Sequence, residues 1–204
     1  SLGLSELPAN SSGLNYYTGD DLGIGKKNST KTVIFTFGIK KELKIPVEIK
    51  IGNWKETEKL RQIEATFNRW RPEIIAVENN SYQETTIERM KEANVSFPIR
   101  GLYTGSQKAD LEIGLPSMSV ELENGIWVIP MKGHEDVVDA KKICNCPICL
   151  WIGECVTYPV GSTDVLMAWW IAREGFRILV SKFGGLRIRS IGGGTYKYRS
   201  AYAG

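Results

Sequence analysis

The sequence predicts an α/β fold in which a mixed central sheet is flanked by helices and carries an added β-hairpin. Three early segments are rich in β-branched and aromatic residues, as strands are. An amphipathic segment follows, and then an unbroken apolar run at residues 74–77, which is typical of a central parallel strand. With 204 residues, 42% of them hydrophobic and 24% charged, the chain is long enough to enclose one sizeable core.

The first half of the chain predicts a three-stranded meander followed by a helix. Residues 14–22 and 32–39 form two strands joined by a glycine-bearing loop, and residues 43–51 form the third after a short charged turn. In residues 55–70, apolar side chains recur at steps of three and four without Gly or Pro. This spacing predicts an amphipathic helix that covers the sheet.

The second half predicts one hairpin among further helices and strands. Residues 117–130 alternate between apolar and polar, and Asn124-Gly125 is the favoured two-residue turn, so a β-hairpin is expected there. The remaining predicted elements are a helix at 82–93, a strand at 97–103, a helix within 136–155 and a nearly all-buried helix from Asp164 to about Glu174.

Charge and composition divide the chain into three predicted parts. Residues 1–12 are interpreted as the remnant of a linker, since the chain starts without Met, and residues 13–175 as the folded body. The segment 176–204 has six basic residues and no acidic one, in a chain whose net charge is +3, so residues 1–175 together carry −3. We interpret this segment either as a basic tail that binds a polyanion or as a C-terminal hairpin.

Several functional classes are excluded by what the sequence lacks. The longest apolar stretches are too short to cross a bilayer, and the N-terminus has no basic segment followed by an apolar one. A soluble intracellular protein is therefore expected. There is no Walker-type loop, so ATP binding is not predicted for this chain.

Three acidic residues lie where apolar segments end or begin. Asp21 ends the first strand, Glu78 follows the apolar run 74–77, and Asp164 starts the last helix. Carboxylates beside buried segments are costly without a cation, and Mg²⁺ prefers hard oxygen ligands. Two such ions about 4 Å apart can stabilise both the attacking and the leaving oxygen of a phosphodiester. The alternative is that Asp164 only caps its helix.

All four cysteines fall within twelve residues, at positions 144, 146, 149 and 155. With His134, the only histidine, Cys144, Cys146, Cys149 and Cys155 are up to five ligands that zinc accepts. The spacing does not match two CxxC knuckles. Structural Zn²⁺ is one interpretation, and free thiols that pack as small hydrophobic groups are the favoured alternative.

The strings around the three acids resemble those of a known family, the nuclease domain of the large terminase subunit of tailed bacteriophages. The resemblance runs over roughly residues 14–175. The matching strings are 18–28 (TGDDLGIGKKN), 75–83 (IAVENNSYQ), 101–108 (GLYTGSQK) and 162–168 (STDVLMA), with the Asn124-Gly125 turn. The second of these is the most specific.

This resemblance implies a ribonuclease H-like fold and metal-dependent cutting of double-stranded DNA during viral genome packaging. It places Asp21, Glu78 and Asp164 on two Mg²⁺ or Mn²⁺ ions. Thr163 stands where members of the family often carry a second acid, which puts the second ion in doubt. The implied partners are DNA, the portal protein and an ATPase domain of the same polypeptide, which is absent here, and the implied location is the host cytoplasm during virion assembly.

Other residues near these strings suggest how DNA is held, and two rival functions remain open. Lys26 and Lys27 beside the first acid, and Lys108 after the predicted strand 97–103, are candidates for phosphate contacts without sequence readout. Trp127 and its predicted hairpin either clamp the DNA duplex or pack on the body of the protein. One rival is a structure-selective ribonuclease H-like nuclease or resolvase. The other is a non-catalytic module that docks on DNA or the portal. Asp20, which lies beside the first of the three acids, is expected to point away from them, because side chains alternate along a strand.

Overall fold

A five-stranded mixed sheet forms the centre of the protein in a computed structural model. The structure describes residues 13–23, 31–78, 97–105, 110, 114–130, 144–182, 187–188 and 196–197. The strands of the sheet are β1 (Asn15–Asp21), β2 (Thr32–Lys40), β3 (Leu43–Gly52), β4 (Ile74–Glu78) and β5 (Ile99–Leu102). The helices are α1 (Glu56–Trp70), α2 (Ser117–Glu123), α3 (Pro147–Thr157) and α4 (Asp164–Lys182).

The strand order is β3-β2-β1-β4-β5, with β1 at the centre. Strands β1, β2 and β3 pair antiparallel, as the predicted meander requires, and β4 and β5 add parallel to β1 on its other side. The register pairs Asp20 of β1 with Val77 of β4. One residue further along both strands, Asp21 and Glu78 therefore leave the sheet side by side on the same face.

Helices cover both faces of the sheet. On one face Ile63 of α1 packs with Ile34, Ile75 and Val77. On the other face α4 crosses the sheet with small residues against it: a Cβ on Gly19 would lie 2.1 Å from the backbone nitrogen of Ala172. Only glycine at this position lets α4 approach β1 so closely, and this approach determines where α4 begins. Within the described part of the chain, the helices lack the combination of length and hydrophobicity that a transmembrane segment requires.

The predicted β-hairpin at 117–130 is wrong, because its first half is helix α2. Asn124-Gly125 ends this helix instead of turning a hairpin: Gly125 has φ 65°, its N–H donates to the carbonyl of Leu122, and the N–H of Ile126 donates to the carbonyl of Glu121. These two bonds are a Schellman cap, which uses a left-handed glycine just as a hairpin turn does. Val120, two residues after the buried Met118, is 55% exposed, so the two do not share a buried face as the alternation of a strand would require.

The second half of the predicted hairpin runs parallel to the start of β3. The N–H of Lys44 donates to the carbonyl of Ile126, and the N–H of Val128 donates to the carbonyl of Lys44. The side chain of Trp127 is 4% exposed and packs edge-on against Trp169, with ring centroids 5.2 Å apart. Trp127 therefore packs on the body of the protein, and the interpretation of it as a DNA clamp is wrong.

The last helix is longer than predicted, and it includes residues 176–182, which were interpreted as the start of the C-terminal segment. Helix α4 continues through Lys182, with Phe176 and Val180 buried in the core. Beyond it, strands β6 (Arg187–Ile188) and β7 (Tyr196–Lys197) pair antiparallel, as the hairpin alternative expects. The predicted helix at 82–93 lies outside the described residues, and the division into linker, body and tail stays a prediction.

Candidate metal centre at the sheet edge

Three carboxylates from distant parts of the chain meet where β1 and β4 end, and we call them the acidic centre: Asp21, Glu78 and Asp164. Asp21 and Glu78 are 8% and 7% exposed, and their side chains share a hydrogen bond. Asp164 at the first turn of α4 is close enough for its charge to act on Asp21. The structure thus brings together the three acids that the sequence analysis singled out.

The electrostatics of the acidic centre favour a bound cation. Burial raises the pKa of Asp21 from 3.8 to about 7, with the charges of Glu78 and Asp164 adding to this effect and the N–H of Gly23 opposing it. That N–H donates to Oδ1 of Asp21 at 3.3 Å. Asp21 therefore exchanges a proton near neutral pH. Carboxylates that disfavour one another's ionisation in a buried site are stabilised when a positive ion joins them.

Glu154, a fourth carboxylate that the sequence analysis did not identify, shows that Asp164 is not needed to cap its helix. The backbone N–H groups of Val165 and Leu166 both donate to Oε2 of Glu154 on α3, at 2.8 and 3.0 Å. Glu154 therefore satisfies the first amides of α4, which a helix-capping aspartate would otherwise serve. The carboxylate of Asp164 instead accepts a hydrogen bond from the hydroxyl of Ser162, at 3.1 Å.

Glu78 also has a positioning partner that the sequence analysis missed. The hydroxyl of Thr104 donates to Oε1 of Glu78 at 2.5 Å, and Thr104 is buried two residues beyond β5. Thr104 lies in the string 101–108 that carried part of the resemblance, but its spacing alone indicated no role. Glu154 left no signal in the sequence, because it acts across space between two helices.

Asp20, next to Asp21, lies on the opposite face of the sheet as predicted. Its side chain is fully buried, and neither carboxylate oxygen has a hydrogen-bond partner among the described residues. Burial raises the pKa of Asp20 well above its usual value, and the charge of Asp21 adds to this, while Lys59 of α1 opposes it. Burial thus favours the protonated form of Asp20, which lies outside the acidic centre.

A cavity of about 260 Å³ opens beside the acidic centre. It is lined by Asp164, by Glu154 and Cys149 of α3, and by Lys31, an exposed cation at the start of β2. Lys31 was not among the predicted phosphate contacts. Those predicted contacts, Lys26, Lys27 and Lys108, lie outside the described residues, as does His134.

The cysteines form a second group of potential metal ligands. The Sγ atoms of Cys144, Cys146 and Cys149 all lie within 4.8 Å of one another, and we call these three residues the thiol cluster. Among the described residues, no other group of three or more His, Cys, Asp or Glu side chains has all its ligand atoms within 4.8 Å of one another. The carboxylate oxygens of the acidic centre are therefore more widely spread than the three sulfur atoms. Cys155 is outside the cluster, and none of the four cysteines forms a disulfide.

Comparison with solved structures identifies the fold. It is similar to the large terminase nuclease from thermophilic phage G20c with bound zinc (TM-score 0.57, 11% identity, 79% of this chain and 81% of that chain). Structures of the same nuclease with bound magnesium (TM-score 0.54, 11% identity, 82% and 84%) and cobalt (0.52, 10%, 79% and 81%) also match. No family model and no curated protein matches the sequence. The likeness confirms the predicted ribonuclease H-like fold.

Proposed function

We propose that this protein is a metal-dependent endonuclease that cuts double-stranded DNA with little sequence preference during viral genome packaging. It acts as the nuclease domain of a large terminase subunit. The observation that carries the proposal is the meeting of Asp21, Glu78 and Asp164 at one edge of a ribonuclease H-like sheet. The nuclease of similar fold from phage G20c was crystallised with zinc, magnesium or cobalt bound.

The donor set of the acidic centre fits Mg²⁺ or Mn²⁺. All three side chains offer hard carboxylate oxygens, which these ions prefer, and none offers nitrogen or sulfur. The three oxygens are spread over more than 4.8 Å, which is compatible with two ions held about 4 Å apart. When bound, the ions supply Lewis-acid stabilisation of the attacking and leaving oxygens of the phosphodiester.

The protein's own contribution is to hold the carboxylates in place. Asp21 and Glu78 are fixed by neighbouring central strands, and Thr104 orients Glu78 through its hydroxyl. Asp164 is held by the rigid start of α4, whose first amides Glu154 satisfies. Positioned groups of this kind are effective because little reorganisation is needed during the reaction. Asp21, which exchanges a proton near neutral pH, is charged when a cation is present.

DNA reaches the acidic centre from the side of the cavity. Lys31 lines this cavity with Asp164 and supplies a phosphate contact without reading sequence. Lys26, Lys27 and Lys108, which lie outside the described residues, are further candidates for phosphate contacts. In the packaging machine, the partners of the domain are an ATPase domain of the same polypeptide and the portal protein, in the host cytoplasm.

Cleavage of supercoiled plasmid in the presence of Mn²⁺ tests the proposal. Asp21→Asn, Glu78→Gln and Asp164→Asn should each slow the first cut more than about a hundredfold, since even the loss of a group that only orients a metal ligand costs 10- to 100-fold. The matched control is Asp20→Asn. It changes the adjacent acid, which lies on the other face of the sheet and whose protonated form burial favours, so the parent rate is expected.

Three results would contradict the proposal. Cutting by Glu78→Gln or Asp164→Asn at the parent rate would remove the acidic centre from the chemistry. Faster cutting of four-way junctions than of plain duplex would favour the structure-selective nuclease. A calorimetric titration in which Mn²⁺ gives the same heat with the parent and with Asp21→Asn would favour the non-catalytic docking module.

A further inference from the structure

The thiol cluster lies at the N-terminus of α3, and the proposed cleavage uses none of its three residues. Its members follow the pattern Cys-x-Cys-x-x-Cys, and their three sulfur atoms lie within 4.8 Å of one another. Cys149 is 4% exposed, whereas Cys144 and Cys146 are partly exposed. Partial exposure argues against cysteines that only fill the core, and it gives an ion a route to the sulfur atoms.

The local backbone holds two of the thiols together. Cys146 is the N-cap residue of α3 with an extended conformation (φ −68°, ψ 157°), and Pro follows it at the first position of the helix. The Sγ atom of Cys146 accepts a hydrogen bond from the N–H of Cys149 at 3.4 Å. The turn into the helix thus places Cys146 and Cys149 on one side, and Cys144 joins them from the preceding residues.

We infer that the thiol cluster is a binding site for a thiophilic divalent ion, with Zn²⁺ as its natural occupant. Tetrahedral Zn²⁺ with Zn–S bonds of about 2.3 Å needs sulfur atoms about 3.8 Å apart, so the sulfur atoms need to close by about 1 Å at most. On binding, the three thiols release their protons to solvent and three Zn–S bonds form. A water molecule completes the coordination.

The charges around the cluster suit such an ion. Three thiolates and one Zn²⁺ leave a single negative charge, and this charge lies at the positive end of the helix dipole of α3. Thiolate ligands also select Zn²⁺ over Mg²⁺, which prefers oxygen. The thiol cluster and the acidic centre therefore take different ions from the same solution.

A bound ion would stabilise a part of the core that α3 anchors. Trp151, two residues after Cys149, is fully buried and packs edge-on against Phe35 and Trp169, with ring centroids 5.5 and 5.2 Å away. By linking Cys144 to the first turn of α3, the ion would hold the incoming chain against this aromatic group. Binding to the native state alone raises the unfolding temperature.

Cobalt spectroscopy of the full chain tests this inference. Reduced, metal-free protein is titrated with Co²⁺ without oxygen, and a thiolate-to-cobalt charge-transfer band should reach its plateau at one equivalent and disappear on addition of Zn²⁺. Cys144→Ser and Cys146→Ser should lose the band and bind Zn²⁺ more than about tenfold more weakly. Cys155→Ser, which removes a cysteine of the same helix outside the cluster, is the matched control and should keep both.

Each other outcome would overturn the inference. Absence of the band in the parent, or equal loss of it in Cys155→Ser, would show that the cluster is not the site. A mass lower by two hydrogen atoms without added metal would identify a disulfide instead. Cobalt bound at the acidic centre has only oxygen ligands and gives no thiolate band, so this test is independent of the cleavage assay.

Discussion

The acidic centre and the thiol cluster differ in how the chain assembles them. The acidic centre draws Asp21, Glu78 and Asp164 from two strands and a late helix, so it exists only when the whole sheet and α4 are packed. The thiol cluster lies within residues 144–149 and depends on one turn at the start of α3. A ligand set built by tertiary packing is sensitive to distant substitutions, whereas a set built by local backbone is not.

The two sites are nevertheless joined by α3. This helix begins within the thiol cluster, and about two turns later it presents Glu154 to the first amides of α4, where Asp164 lies. The comparison is therefore tested by substitutions at four places. In decreasing order of expected effect, these are the contact of Gly19 with α4, the acidic centre, helix α3 and the cavity that both sites line.

The largest effect is expected from Gly19→Ala. The added Cβ would lie 2.1 Å from the nitrogen of Ala172 and 2.3 Å from the carbonyl oxygen of Ala168, so α4 must move away from β1. We expect the free energy of unfolding to fall by about 3 kcal/mol and Mn²⁺ binding at the acidic centre to be lost. Urea unfolding and calorimetry measure these two quantities.

Gly153→Ala is the matched control, because its Cβ on α3 would meet nothing within 4 Å. A helical Gly→Ala change should raise stability by about 1 kcal/mol. In Gly19→Ala the cobalt–thiolate band should survive wherever the protein is folded, because the thiol cluster does not use this contact. If folded Gly19→Ala protein lost both this band and Mn²⁺ binding, the thiol cluster would depend on distant packing just as the acidic centre does.

The second prediction concerns the pH dependence of the metal-free protein. The pKa of Asp21 is raised from 3.8 to about 7, so the native state favours the protonated acid. The resulting stability is fully present below about pH 4 and is lost as the pH rises through 7, for a total of a few kcal/mol. Thermal unfolding in EDTA between pH 4 and 8 should show this loss in the parent and much less of it in Asp21→Asn.

Mn²⁺ should reverse the effect. Because the ion binds the ionised carboxylates, it should raise the unfolding temperature of the parent more at pH 8 than at pH 5. Zn²⁺ at one equivalent, taken by the thiol cluster, should leave the slope caused by Asp21 in place. An Asp21→Asn variant with the parent's pH dependence would assign the slope to another group.

The sequence was sufficient for those parts of the fold that local pattern determines. Segments rich in β-branched and aromatic residues predicted β1 to β3, the apolar run before Glu78 predicted β4, and the spacing in residues 55–70 predicted α1. Alternation along β1 also separated Asp21 from Asp20 correctly. The roles of the three acids stay a prediction, although their meeting follows from where these strands end.

Other features could not be predicted from the sequence. Some depend on a local motif that suits two structures equally well, and others depend on contacts between residues that are far apart in the chain. Asn124-Gly125 suits a hairpin turn and a helix cap alike, and the helix is supported by Glu121, which accepts from Arg173 of α4 and from Lys44 of β3. The approach of α4 at Gly19 has no signature in one sequence. The thiol cluster fits no standard zinc spacing and emerges only from the turn at Cys146.

The third prediction tests the connection through α3. Glu154→Ala leaves two amides of α4 without their acceptor, so we expect a loss of about 1 to 2 kcal/mol in stability and about tenfold in Mn²⁺ affinity. Glu154→Gln keeps an oxygen that can accept and should recover most of both. Glu64→Ala, which removes an exposed carboxylate on α1, is the control. If Glu154→Ala loses stability but keeps its Mn²⁺ affinity, Glu154 is a helix cap only.

The smallest effect is expected at Lys31, in the cavity that Cys149 and Asp164 both line. One phosphate contact contributes about one unit to the dependence of log affinity on log salt, so Lys31→Gln should lower this slope by about one without changing sequence preference. Fluorescence anisotropy with duplex DNA in a Glu78→Gln background measures binding without cleavage. Lys40→Gln, at the opposite end of β2, should keep the parent slope. Equal slopes for Lys31→Gln and Lys40→Gln would move the DNA path away from this cavity and leave the acidic centre to be reached from its other side.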